Sequence, residues 1–239
     1  MEKLVSMALA CYNQADFLEE NIEKIKKVLD NAGIEYEIIL YDDKSTDNTA
    51  ELIKKMAKKD SGILCFFHEK NMGRGKTTAD AIMKSKGEIC GFIDTDLESD
   101  VEYMPKLIMA IKQGWDVSIG NRKYKINRHS IMRLFLSRGF HCLAKIAIGT
   151  KLNDTESGFK FFNTKKIIPV LKEVQSNRWF WDTELMVLAE KKGLKIKEIW
   201  VPFIKNTEGK TTMKFARDIH DYWAELLKFR KRLKQKKLL

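Results

Sequence analysis

Short apolar runs alternate with amphipathic helical stripes through the first half of the chain, and no other feature limits its fold as tightly. Leu4–Cys11 reads as an apolar strand, and Phe17–Leu29 carries a helical stripe of Phe17, Leu18, Ile22, Ile25, Val28 and Leu29. Tyr36–Tyr41 is the next strand, followed by a helix over Asp47–Lys58 that Ser45 or Asp47 is placed to cap. Ile63–Phe67, a helix around Thr77–Lys84, the strand Ile89–Ile93, a helix over Val101–Lys112 and a short strand Asp116–Ile119 continue the series. Repeated βα units with short loops predict an α/β fold: a mostly parallel sheet flanked by helices on both faces. After Arg122 the rhythm changes to a helix over Ile131–Ile148, a strand Ser157–Asn163, a helix Trp181–Lys191 and a strand Leu194–Val201. A last helix, Phe215–Lys236, closes the chain. The expected organisation is one domain over residues 1–213 and a basic amphipathic helix over 214–239.

Composition narrows the class. Across 239 residues, 44% are apolar and 32% charged, which suits a globular protein with a substantial core. Cys11, Cys65, Cys90 and Cys142 lack CxxC spacing and read as reduced core residues, and the histidines show no metal-ligand spacing. No signal peptide opens the sequence, and no apolar run reaches the roughly 18 residues that read as a bilayer-spanning helix. The expected location is therefore cytoplasmic. The net charge of +11 is concentrated: Arg122–Lys151 holds eight Lys or Arg and no acid, and Lys228–Lys237 holds seven more. Such blocks attract phosphorylated ligands, anionic lipid or nucleic acid, or are solvated helix faces. Aromatic side chains are not interleaved with them as stacking platforms, so nucleic acid is not the expected partner.

The strand Ile89–Ile93 stops at Asp94-Thr95-Asp96-Leu97-Glu98. Ligands of open α/β sheets bind outside the carboxyl ends of the strands. Two carboxylates one residue apart at such an end can converge on a hard divalent cation, which would offset the charge of a departing diphosphate. The alternative is that they merely end a strand and start a turn. Three earlier strands also end in polar loops: Ala10-Cys11-Tyr12-Asn13-Gln14, Tyr41-Asp42-Asp43-Lys44-Ser45, and Asn71-Met72-Gly73-Arg74-Gly75-Lys76. A carboxylate at the second strand tip can take hydrogen bonds from a ribose or base, and the glycines let backbone approach a ligand. P-loop spacing is absent.

Taken in order, ACYNQ, YDDKSTDNT, NMGRGK, DTDLE, GNR, DTESGFKFF and WDTELMVLAEKKG resemble family-2 glycosyltransferases of the GT-A fold. Within that family the chain is most similar to the dolichyl-phosphate mannose synthase and polyprenyl-phosphate glycosyltransferase branch, from about Leu4 to about Thr212. The resemblance implies an inverting transfer of a hexose, mannose or glucose, from a GDP- or UDP-sugar to a polyprenyl phosphate, with Mg²⁺ or Mn²⁺ as cofactor. It makes residues 1–213 the catalytic domain. By position, Ala10, Tyr12 and Gln14 fall where the family has Pro, Tyr and Glu around the donor base and ribose. Asp42 or Asp43 would hold base and ribose, with Gly73, Lys76 and Thr95 also at the donor. Asp94 and Asp96 would bind the metal and diphosphate, and Glu98 stands where these synthases usually carry Gln as a further metal ligand.

For the acceptor, the resemblance points to Arg122, to Arg133 with Ser137 four residues on, and to Arg128 and Arg138 as assistants. A phosphate monoester is already anionic near neutral pH, its second pKa being about 6, so it needs positioning cations more than a base. Asp154 would orient Arg133 or Arg122 or cap the following turn, or act as general base if the acceptor were instead a sugar hydroxyl of a glycan. Asp182 and Glu184 are expected to be structural or to contact sugar. The stretch Thr207–Thr212 falls where the branch has a mobile basic loop, so Lys210 and Thr211 are candidates for a lid. The terminal helix, with Tyr222, Trp223 and clustered Lys/Arg, suits the surface of an anionic membrane on its cytoplasmic face, or packing against the domain or against a second copy in a homodimer.

Overall fold

The computed structural model describes residues 4–124, 145–204 and 215–239. Seven strands form one sheet: β1 (Val5–Cys11), β2 (Tyr36–Asp42), β3 (Ile63–Phe67), β4 (Ile89–Ile93), β5 (Val117–Tyr124), β6 (Phe159–Asn163) and β7 (Ile196–Phe203). Their order is β3-β2-β1-β4-β6-β5-β7. β3, β2, β1 and β4 run parallel, as do β5 and β7, while β6 is antiparallel to both β4 and β5. The mostly parallel α/β sheet expected from the alternation is what forms, with β6 as the reversed strand.

Helices cover both faces. On one side α1 (Leu18–Asn31), α2 (Thr49–Lys59) and α4 (Met104–Lys112) bury Ile22, Ile25, Ile53 and Leu107 against Val5, Met7, Leu9 and Leu40. On the other, α3 (Arg74–Met83), α5 (Thr164–Leu171), α6 (Trp181–Lys191) and α7 (Phe215–Gln235) close over Ala8, Ile39, Phe92 and Phe162. Alternate residues of β1 thus serve opposite cores, as the pleat requires. The stripe of α7 belongs to the second core: Tyr222, Leu226, Phe229 and Leu233 are all buried. Arg232 ion-pairs with the buried Glu184, and Lys236 with Glu173. Each buried apolar side chain of that stripe contributes roughly 1.5–3 kcal/mol, so packing against the domain accounts for it.

Several boundaries differ from the sequence expectation, each for a tertiary reason. β5 continues through Gly120-Asn121-Arg122 because it pairs with β7 from Val117↔Ile196 to Tyr124↔Phe203; the polar run hid this continuation. α3 starts at Arg74, three residues earlier than expected, after Gly73 at φ 93° turns the chain. Val101–Lys112 divides into a 3-10 turn, Val101–Tyr103, and α4, with Pro105 in the first turn of α4. Neither Ser45 nor Asp47 caps the helix: Asn48 holds the cap position without a side-chain bond, Asp47 before it accepts the Thr49 N–H at 3.0 Å, and Ser45 turns back to Asp42. Most of the helix expected over Ile131–Ile148 lies outside the described residues.

Candidate active site

β2, β1 and β4 lie side by side in parallel; β1 and β2 end together at Cys11↔Asp42 and β4 pairs with β1 as far as Ala8↔Phe92, so the loops that follow them share the carboxyl edge of the sheet. The Asp94 N–H donates to Gly158 O at 2.9 Å. A Cβ on residue 158 would lie 1.8 Å from Asp94 Oδ2, so only glycine lets this carboxylate sit there. Thr95 is buried and its carbonyl accepts Asn21 Nδ2 at 2.8 Å, tying the loop to α1. Leu97, at φ 51°, completes a tight turn in which Asp96 accepts the Glu98 N–H at 3.2 Å. The Asp94 side chain stays 44% exposed, and Asp96 is exposed. The protein around Asp96 and the Asp94 carboxylate beside it push its carboxyl up to about 6.

Among the described residues no group of three or more His, Cys, Asp or Glu side chains converges as a metal site, so Glu98 does not join Asp94 and Asp96 in a cluster. Two adjacent carboxylates nevertheless fit a magnesium-like cation, which commonly takes one or two carboxylates and fills its other positions with substrate phosphate and water. The raised proton affinity of Asp96 comes first from burial and then from the Asp94 carboxylate beside it, and a cation would relieve the second.

A chain of alternating charges runs inward from Asp94. Arg74 donates from Nε and Nη2 to Asp94 Oδ1 at 2.8 and 2.5 Å, and from Nη1 to Asp182 Oδ2 at 2.5 Å. Lys160 Nζ donates to Asp182 Oδ1 at 2.9 Å and also to the Ser157 carbonyl. Lys160 is fully buried and Asp182 is 3% exposed. Burial works against both cations; for Arg74 the pull of Asp182 and Asp94 wins and raises its pKa, while for Lys160 desolvation lowers the pKa in spite of Asp182. Sequence reading missed Arg74 and Lys160 here. The available signal was a lysine inside Phe159-Lys160-Phe161-Phe162, since a charge buried in a strand demands a partner.

Beside this chain, Arg122 grips Asp154 through Nε at 2.7 Å and Nη2 at 2.9 Å. Although burial opposes its charge, the Arg122 guanidinium holds the Asp154 carboxyl below the usual carboxylate range. Asp154 thus sits on Arg122 and also accepts the Glu156 N–H at 3.2 Å, capping the turn that follows, while Arg133 lies outside the described residues. Glu184 is structural: it accepts the Gln175 and Ser176 N–H groups at 3.0 and 2.9 Å and pairs with Arg232.

The other donor-side candidates are placed unevenly. Tyr12 is 41% exposed at the rim, Ala10 and Gln14 are half-buried, and the Gln14 N–H donates to Thr49 Oγ1 at 2.7 Å. Asp42 and Asp43 are each 3% exposed. Asp42 accepts from Ser45, and Asp43 accepts the Met72 and Gly73 N–H groups at 2.7 and 2.9 Å. Lys76 pairs with Asp80 one turn along α3. Arg128, Arg133, Ser137, Arg138, Lys210 and Thr211 lie outside the described residues. β7, which leads toward the last two, is tied to the Asp94–Glu98 turn: the Ile204 N–H donates to Glu98 O at 2.7 Å, and Ser99 bridges to Phe203.

A model of the family described as Glycosyl transferase family 2 matches residues 6–170. The glycosyltransferase AglD of Haloferax volcanii is 27% identical over 232 residues, covering 94% of this chain and 36% of its own. The dolichyl-phosphate beta-glucosyltransferase of Saccharomyces cerevisiae is 28% identical over 220 residues, covering 83% and 66%. The chain thus spans between about a third and two thirds of the length of these curated relatives. In three dimensions, glucosyl-3-phosphoglycerate synthase from Mycobacterium tuberculosis, solved with Mn²⁺, UDP and glucosyl-3-phosphoglycerate, superposes with a TM-score of 0.70 at 18% identity. That match covers 95% of this chain and 80% of the other, a likeness of fold.

Proposed function

We propose, from the premise that this chain belongs to glycosyl transferase family 2, that it moves a hexose from a GDP- or UDP-sugar to a polyprenyl phosphate, inverting the anomeric carbon. One observation carries this reading. The segment from Asp154 to Gly158 serves two sites at once, Asp154 clamping Arg122 and Gly158 seating Asp94. A cation for an acceptor phosphate and carboxylates for a donor's metal-bound diphosphate are therefore built from one short loop, beside each other. That proximity suits direct transfer between two phosphorylated substrates.

In this reading Tyr12, Ala10 and Gln14 line the base and ribose, with Asp42 and Asp43 shaping the loops behind them. Asp94 and Asp96 would hold Mg²⁺ or Mn²⁺, whose charge offsets that of the leaving nucleoside diphosphate. Arg122, with Arg128, Arg133 and Ser137 assigned from the family resemblance, orients the acceptor phosphate. A phosphate oxygen forms the new bond to the anomeric carbon as the bond to the donor diphosphate breaks. No side chain takes a proton, because the acceptor oxygen is already ionised. Asp154 suits that scheme: a carboxyl held below its usual range by Arg122 is a weak proton acceptor and a firm orienter.

Lys210 and Thr211 would close over the diphosphate, their segment being reached through β7, which is already bonded to the metal-binding turn. No helix of the described residues is long and apolar enough to cross a membrane. Contact with an anionic leaflet would instead use the exposed Lys228, Arg230, Lys231, Lys234 and Lys237 of the terminal segment, whose apolar side is engaged in the domain.

The test is incubation of purified protein with Mn²⁺, a short polyprenyl phosphate and, separately, GDP-mannose and UDP-glucose, with lipid-linked sugar read by mass spectrometry. A lipid-linked hexose from one donor is the expected product. Donor hydrolysis without lipid product would remove the lipid acceptor and leave the donor site standing.

A further inference from the structure

We propose that Arg74 is the resident counter-ion of Asp94, that a divalent cation must displace it to bind, and that Asp182 sets how readily it lets go. This rests on the assignment of Asp94 and Asp96 as the donor-metal site. Two N–H groups of Arg74 converge on Oδ1 of Asp94, while Oδ2 packs over the bare Cα of Gly158. An approaching cation therefore finds one carboxylate oxygen already bonded to a positive charge and the other packed against Gly158. The opposite edge of the guanidinium is held by Asp182, which is itself pinned by the fully buried Lys160. The arginine is suspended between two carboxylates, one exposed at 44% of its side chain and one buried at 4%.

The two anchors differ in what they permit. Asp182 is an immobile acceptor, so Arg74 can release Asp94 and remain bonded and charged within the site. Removing it from Asp94 costs less than stripping it of every partner. Once released, it stands next to an incoming cation, and the two repel. The diphosphate of a nucleotide sugar, carrying negative charge between them, removes that repulsion. Cation and donor should therefore bind each tighter in the presence of the other, by the same factor in both directions. Asp182 acts through Arg74 and is a positioning residue, as is Lys160 behind it.

The experiment is calorimetric titration of the full chain with Mn²⁺, alone and with UDP or GDP present, for wild type, Arg74→Gln and Asp182→Asn. Arg74→Gln should bind Mn²⁺ alone roughly tenfold tighter than wild type, and the gain on adding nucleotide should shrink, within the usual range of coupling between linked ligands. Asp182→Asn should bind Mn²⁺ alone several-fold more weakly, because Arg74 then has Asp94 as its one carboxylate partner. That variant strands the buried charge of Lys160; if it fails to fold, the double variant Lys160→Met, Asp182→Asn removes both charges and should show the same weakening. An arginine with a purely structural role would lower the melting temperature on removal without tightening Mn²⁺ binding. Unchanged or weaker Mn²⁺ binding by Arg74→Gln overturns the counter-ion role. Unchanged or tighter binding by the Asp182 variants overturns the positioning role. If neither wild type nor Arg74→Gln takes up Mn²⁺, with or without nucleotide, the metal assignment at Asp94 and Asp96 fails and this proposal falls with it.

Discussion

Asp42-Asp43 and Asp94-Thr95-Asp96 occupy the same kind of place, the carboxyl end of a parallel strand in one sheet, yet their carboxylates have opposite fates. Asp43 is 3% exposed and accepts two backbone N–H groups from residues 72 and 73, with His68 Nδ1 3.0 Å away. Asp42, equally buried, accepts the N–H and hydroxyl of Ser45. Asp43 acts as mortar, holding the loop after β3 against the tip of β2, while Asp42 pins its own loop. Asp94 and Asp96, by contrast, stay open to the crevice, with Arg74 as the charged partner of the first. Where several buried backbone donors surround it, a strand-end aspartate is tied into the fold; where a glycine and a tight turn leave it one such donor or none, it stays open.

The largest effect expected from this contrast is on turnover. Asp96→Ala should lower kcat by about a thousandfold or more, roughly 4 kcal/mol of transition-state stabilisation, while leaving the unfolding midpoint unchanged or slightly raised. Steady-state kinetics beside urea denaturation read both; a variant retaining a tenth of wild-type turnover would break the contrast on the reactive side. Asp43→Ala is the mirror experiment. It strands the half-buried Met72 and Gly73 N–H groups and should cost about 2 kcal/mol of stability, seen as a lower urea midpoint. Full stability with lost nucleotide affinity would show instead that Asp43 serves the donor directly.

Smaller effects separate orientation from proton transfer. Asp154→Asn weakens the clamp on Arg122, so the acceptor KM should rise about tenfold, on the order of 1.4 kcal/mol, with kcat falling less. Near-complete loss of kcat, with a pH profile that loses its acidic limb, would make Asp154 a base and favour a hydroxyl acceptor. The smallest effect expected is on pH dependence. The Asp96 carboxyl titrates near 6 in the folded protein, above the ordinary carboxylate value. Its contribution to metal-free stability is therefore fully present below that ordinary value and lost as pH rises through about 6. A bound cation reverses the loss, so thermal stabilisation by Mn²⁺ should be larger at pH 7.5 than at pH 5. Several-fold in affinity is the expected size, less than an unscreened carboxylate would give, because Asp96 is exposed and water screens it. Equal stabilisation at both pH values would remove Asp96 from the cation site.

Local signals accounted for the frame. Short apolar runs placed most strands and 3.6-residue stripes most helices, and the apolar run before Asp94 placed the carboxylate pair at a strand end. Boundaries slipped where pairing overrode composition. Arg122 lies within β5 because β7 runs alongside it for eight residues, although Asn121-Arg122-Lys123 looks like a loop. The glycines around Arg74 read as a strand-end loop that lets backbone approach a ligand, whereas Gly75 is buried in α3 against Trp181.

The sequence by itself determined the α/β alternation, the positions of the strand ends and the types of charged residue available there, because these depend on neighbours a few positions away. Tertiary structure alone decided which charges meet. Arg74 reaches Asp182 across 108 positions and Arg122 reaches Asp154 across 32. Those encounters follow from strand order and from how α3 and α6 pack on the sheet. A carboxylate's role depends on the donors and cations that surround it, and that surrounding exists only once distant segments have been brought together.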